Sequence, residues 1–151
     1  MKMMTALVAD ASEAKVFSAE NRHATLSEIK HIKNPTGHLL EQELTSDTPG
    51  RIMSRGGGSH NYQTAETHKH HDEVAFASLV IRFLRDLYET QSLGNLVILA
   101  APDFLGELRK LMPANIKKHI ILEKPRDLVA MEKQEIQAHL HGYFQSEFLN
   151  G

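Results

Sequence analysis

The sequence predicts a single α/β domain built on a mixed five-stranded sheet. Three observations carry this. Three short β-type segments with brief links open the chain, which is the pattern of an antiparallel meander. From about residue 72 onward, helical and strand patterns alternate, as in units that build parallel strands. Within the alternating part, Leu96–Ala101 (LVILAA) is a continuous apolar run, the mark of a strand buried on both faces. A length of 151 residues with 41% hydrophobic content suits one domain with a sizeable core.

The elements follow in order. Met3 to Ala9 reads as a buried strand, and Asp10-Ala11-Ser12-Glu13 supplies turn chemistry, because Asp and Ser side chains bond nearby backbone amides. Ala14 to Ser18 reads as a second strand. Thr25 to Lys33 mixes β-branched and charged residues and reads as a half-exposed third. Residues 34–50 are irregular, with turns at Asn34-Pro35-Thr36-Gly37 and Pro49-Gly50 and room for a short helix at Leu39–Leu44. From about Asp72 to Thr90, Phe76, Val80, Phe83, Leu84 and Leu87 fall on one stripe at spacings of three and four, which predicts an amphipathic helix ended by Gly94. Pro102 opens a helix through Met112, and Pro113 stops it. His119 to Glu123 is a fifth strand. A last helix is expected from about Ala130 to Phe148, with Ile136, Leu140, Tyr143 and Phe144 as its apolar face.

Composition narrows the function classes. The chain has no cysteine, so disulfides, thiol catalysis and Cys-ligated zinc are excluded. The N-terminal MKMMTALVAD reads as a first strand and not as a signal peptide, and no segment approaches the roughly 20 apolar residues of a membrane span. A cytoplasmic location without a membrane span is the expectation. The net charge of −2 argues against a protein that coats nucleic acid generally, but it hides an asymmetry. Residues 51–71 set Arg51, Arg55 and Lys69 against Glu66 alone, a net of +2, which leaves −4 for the rest.

That basic stretch lies in the candidate functional region, Thr45 to His71. It lacks strand or helix periodicity and is flanked by well-patterned chain on both sides. Loops longer than about 12–15 residues inside compact domains are usually functional or disordered. The expected binding residues are Arg51, Arg55, Gly56, Gly57, Gly58, Ser59, His60, Tyr62, Gln63 and Lys69. Three successive glycines free the backbone for close approach to a phosphate, and the cations supply attraction. Tyr62 offers a stacking surface for a base. His68, His71 and Asp72 would share a helix face if the helix already included His68, and would then form a divalent-ion set, with His60 as a further ligand from the loop. The competing explanation is a solvated helix entrance, with Asp72 and Glu73 complementing the positive N-terminus. Asp10 and Asp103 both follow strands, yet two-metal chemistry needs a fuller carboxylate cluster. Asp10 is explained by its turn and Asp103 by the first turn of its helix. Arg109 reads as a helix-surface charge and Asp127 as an N-terminal helix cap.

Five segments carry a family resemblance: LVADASEAKVF near the start, SDTPGR at 46–51, the Ala75-Phe76-Ala77 helix, LVILAAPDFLGELRKLM at 96–112 and EKPRDL at 123–128. Together they resemble the bacterial host-attachment protein family, along nearly the whole chain. The architecture is also similar to the middle domain of archaeal and eukaryotic class 1 release factors. That resemblance implies a ribonuclease-H-like topology. It also implies a long loop, carrying Gly-Gly-Gln in those factors, between the meander and the following helix. Here Gly56-Gly57-Gly58-Ser59 stands in that place, so Ser59, or Gly58 in another register, replaces the glutamine; Gln63 lies four residues after Ser59. Peptidyl-ester hydrolysis is therefore not expected.

The functional expectation is a non-enzymatic binding protein with no cofactor, engaging RNA or the ribosome through residues 51–71. The alternatives are a protein-interaction factor influencing attachment to host cells, and a metal-dependent hydrolase.

Overall fold

A computed structural model describes residues 3–34 and 58–149, with side chains for 3–34 and 70–146. Three strands come first: β1 (Met4–Ala9), β2 (Glu13–Ala19) and β3 (Ser27–Lys33). They are followed by α1 (Gly58–Glu89), β4 (Asn95–Ala100), α2 (Pro102–Leu111), α3 (Ala114–Lys117), β5 (Ile120–Lys124) and α4 (Lys133–Leu149). The single five-stranded sheet has the order β3-β2-β1-β4-β5. β1 pairs antiparallel with β2, and β2 with β3, while β1–β4 and β4–β5 are parallel. This is the mixed sheet expected from the meander and the later alternation.

The sheet is covered on both faces, and alternation along each strand divides its side chains between two cores. Leu7, Val16, Leu96 and Ile98 face α1, α2 and α3, meeting Phe76, Val80, Leu84, Phe104, Leu108 and Ile116. Met4, Val8, Phe17, Val97 and Leu99 face the other way, onto Ile136, Leu140 and Phe144 of α4. Val97 and Ile98 are fully buried on opposite faces, as a central parallel strand requires. Phe76 and Phe104 meet with ring centroids 5.7 Å apart where α1 crosses α2.

Several boundaries differ from the sequence expectation. α1 begins at Gly58, so residues 58–71, expected to be loop, have helical backbone. The stretch Tyr62 to Asp72 is rich in residues of good or neutral helix propensity, but it has no apolar stripe to mark a helix in the sequence. Leu39–Leu44 and the turns at 34–37 and 49–50 lie wholly or largely outside the described residues.

α1 ends at Glu89, before Gly94. The Ser92 amide donates to the Leu87 carbonyl at 2.7 Å and the Gln91 amide to the Tyr88 carbonyl at 3.0 Å. Gln91 has φ 59°, the left-handed residue of a Schellman turn usually given to glycine. Gly94 serves a different need. A Cβ there would lie 2.2 Å from the Met3 carbonyl oxygen, so only glycine permits β1 and β4 to start side by side. The fully buried Thr5 hydroxyl accepts the Gly94 amide at 3.0 Å, fixing the same junction.

α3 was not anticipated, because four residues are too few to show a period. α4 starts at Lys133, so Asp127 caps no helix.

Candidate functional site

Among the residues expected to bind, Arg51, Arg55, Gly56 and Gly57 lie outside the described residues. Gly58, Ser59, His60, Tyr62, Gln63 and Lys69 lie on the helical backbone of α1. His68, His71 and Asp72 share that helix at spacings of three and four, which meets the backbone condition for one face. His71 is exposed and Asp72 half-buried. Among the described residues no group of three His, Cys, Asp or Glu side chains is placed to hold a metal ion. Among the described side chains of α1, His70 to Ala75 lie outside the cores and the buried series begins at Phe76.

A second region gathers where β1, β4 and β5 end. Chain connections leave β1 toward β2 and leave β4 toward β5, so the carboxyl ends of β1 and β4 flank the point where the winding reverses. Ligands of open α/β sheets commonly bind in the crevice outside such a point. After β1, Asp10 Oδ1 accepts the Ser12 amide at 2.8 Å and the Glu13 amide at 2.9 Å. This is the turn role expected for Asp10. Asn34, 6% exposed, ties the end of β3 to the same turn. Its amide donates to the Ser12 carbonyl at 2.8 Å and its side chain to the Ala11 carbonyl at 3.0 Å. Glu13 also meets His31 of β3 at 2.7 Å. Asp103 sits in the first turn of α2, where its charge complements the helix N-terminus.

Asp127 lies in the turn after β5 and belongs to this end of the sheet. Burial pushes its carboxyl above the usual carboxylate range, and the negative charge of Asp10 pushes the same way, with Glu13 adding less; a hydrogen bond from the Val129 amide pulls it down. The expected cap is thus a carboxylate close enough to Asp10 to feel its charge. Sequence reasoning missed the pairing because it depends on how β1 and β5 are brought together through β4. Asn34 was missed as well: beside Pro35 it reads as a turn residue, and nothing in sequence marks it as buried. Arg109 is an exposed charge on α2, as read from the sequence, and it forms an ion pair with Glu123 on β5.

Among the described residues, three cavities adjoin the strands and helices. One of about 580 Å³ lies between the turn after β5 and α4, lined by Pro125, Arg126, Asp127, Leu128, His139 and Tyr143. One of about 350 Å³ lies between the β2–β3 turn and α4, with His23 and His141 at its edge over Leu26 and Leu140. The third, of about 430 Å³, lies under α2 against β5, over Ile98 and Leu108. No described helix is long and apolar enough to cross a membrane.

Sheet, helices and crevice together define an α/β domain whose candidate ligand-facing end is the carboxyl end of its parallel strands. The family model described as "protein required for attachment to host cells" matches residues 6–140, and the chain belongs to that family. A search of curated proteins finds no match.

Proposed function

We propose that the protein serves attachment to host cells as a binding protein, engaging RNA or the ribosome in the cytoplasm through residues 51–71. The observation that carries this reading is the continuity of α1. The helix is anchored in the core from Phe76 onward, yet it starts at Gly58, so much of the basic, histidine-bearing stretch continues an anchored helix. That stretch has a net charge of +2 on a chain otherwise at −4, the asymmetry expected of a surface that meets phosphate. Arg51, Arg55 and Lys69 attract the phosphates, Gly56 to Gly58 allow close backbone approach, and Ser59, His60, Tyr62 and Gln63 supply donors and a stacking ring. The meander followed by alternating elements supports a ribonuclease-H-like topology akin to the release-factor middle domain.

Ribosome co-sedimentation of the intact chain and of one lacking residues 51–57 tests the proposal. Loss of co-sedimentation with the deletion is expected. An intact chain that stays in the supernatant at low salt overturns it.

The family's attachment role favours a second reading, a protein-interaction factor using Ile52, Met53 and Tyr62, which would bind in a salt-tolerant way. A metal-dependent hydrolase would place its ion on His68, His71 and Asp72. Metal analysis of protein purified without a histidine tag tests that arrangement.

A further inference from the structure

The largest of the three cavities holds a combination of groups that, Asp127 apart, the structural roles above do not use. Arg126 lines it, and its side chain has no hydrogen bond or ion pair among the described residues. His139 and Tyr143 lie one helical turn apart on α4, with ring centroids 6.1 Å apart. The Lys124 ammonium lies 5.7 Å from the centroid of the Tyr143 ring, which brings a second cation to the same side. Asp127 supplies a carboxylate, and Pro125 and Leu128 supply apolar wall.

Each group matches a different part of one kind of molecule. A guanidinium with five donors and a neighbouring imidazole suit a phosphate. An aromatic ring and a proline suit a flat heterocycle. A carboxylate accepts a sugar hydroxyl. The volume, about 580 Å³, falls in the range of roughly 300–1,000 Å³ typical of small-molecule sites. The cavity also lies at the carboxyl end of β5, the end of the sheet where ligands of open α/β folds gather.

We propose that the groove between the turn after β5 and α4 binds a nucleoside phosphate. Arg126 and His139 hold the phosphate, Tyr143 backs the base, and Asp127 accepts from the ribose. The site uses no residue of the 51–71 segment, so it stands or falls separately from the binding role proposed for that segment. The ligand is either a free nucleotide or a nucleotide within an RNA strand.

Titration calorimetry of the full chain with AMP, with inorganic phosphate and with a short RNA oligonucleotide tests the site. AMP is expected to bind saturably and more tightly than inorganic phosphate. Arg126→Ala should weaken AMP by about tenfold or more, the scale of a lost charge-assisted hydrogen bond. Tyr143→Leu should weaken AMP while leaving phosphate unchanged. Arg126 is exposed, so its replacement should not unfold the chain, and circular dichroism of each variant checks this. An oligonucleotide that competes with AMP identifies RNA as the source; AMP binding without competition identifies a free nucleotide. AMP binding that is absent at millimolar concentration, equal to that of phosphate, or unchanged by Arg126→Ala overturns the proposal. The variant with Arg51, Arg55 and Lys69 neutralised should bind AMP like the parent chain.

Discussion

At the scale of single residues, three positions affect stability through features a side-chain pattern does not display. Gln91 occupies a left-handed conformation that costs a non-glycine residue about 1–2 kcal/mol. Gln91→Gly should therefore raise stability by up to about 1 kcal/mol, measured as a higher urea midpoint at unchanged m-value. The opposite holds at Gly94. There an added Cβ meets backbone that cannot rotate away, so Gly94→Ala should destabilise by about 1–3 kcal/mol. Asp127 yields a pH test. Its folded-state pKa is raised, so the folded chain binds this proton more tightly than the unfolded chain does. Stability then falls as pH rises from the ordinary carboxylate range through the raised value, and the penalty persists above it. Asp127→Asn keeps an oxygen for the Val129 amide and removes the charge beside Asp10. It should be more stable than the parent at pH 7, with the advantage fading near pH 3, where Asp127 in the parent is itself largely protonated. Chemical denaturation at the two pH values measures this, and an equal advantage at both would contradict it.

At the scale of elements, β4 is where the two cores meet. Val97→Asp and Ile98→Asp each place an unpaired charge in one core, and either should abolish the cooperative thermal transition. A native-like transition in either variant would mean that its face of the strand is not sealed. The Arg109–Glu123 pair also links two elements, α2 and β5, but its arginine is largely exposed. Exposed pairs contribute about 0–1 kcal/mol, so Arg109→Ala should leave the melting temperature almost unchanged. For α1, the strand-facing stripe from Phe76 to Leu87 was legible because apolar residues recur every three or four positions. Its earlier turns were not, since a polar helix and a polar loop share a composition.

At the scale of the whole molecule, the charge asymmetry gives the decisive experiment on binding. If Arg51, Arg55 and Lys69 each neutralise a phosphate of single-stranded RNA, replacing all three should reduce the log–log salt slope of binding by about 2. Arg and Lys side chains are almost never fully buried unless paired, so folding should be retained. Salt-tolerant association lost on truncating Ile52, Met53 and Tyr62 would instead select the protein-interaction reading. By itself the sequence determined the α/β class, the order of five strands along the chain, the apolar faces of α1 and α4, and the basic stretch. Each of these is written in local periodicity or charge. Only the tertiary structure decided that β4 lies between β1 and β5, and that Asp127 comes within reach of the Asp10 charge. It also decided that Asn34 is buried against the β1–β2 turn, and that Arg126, His139 and Tyr143 share one groove. These pairings join residues far apart in the chain. Their proximity comes from strand order and helix packing, and neither leaves a period in the sequence.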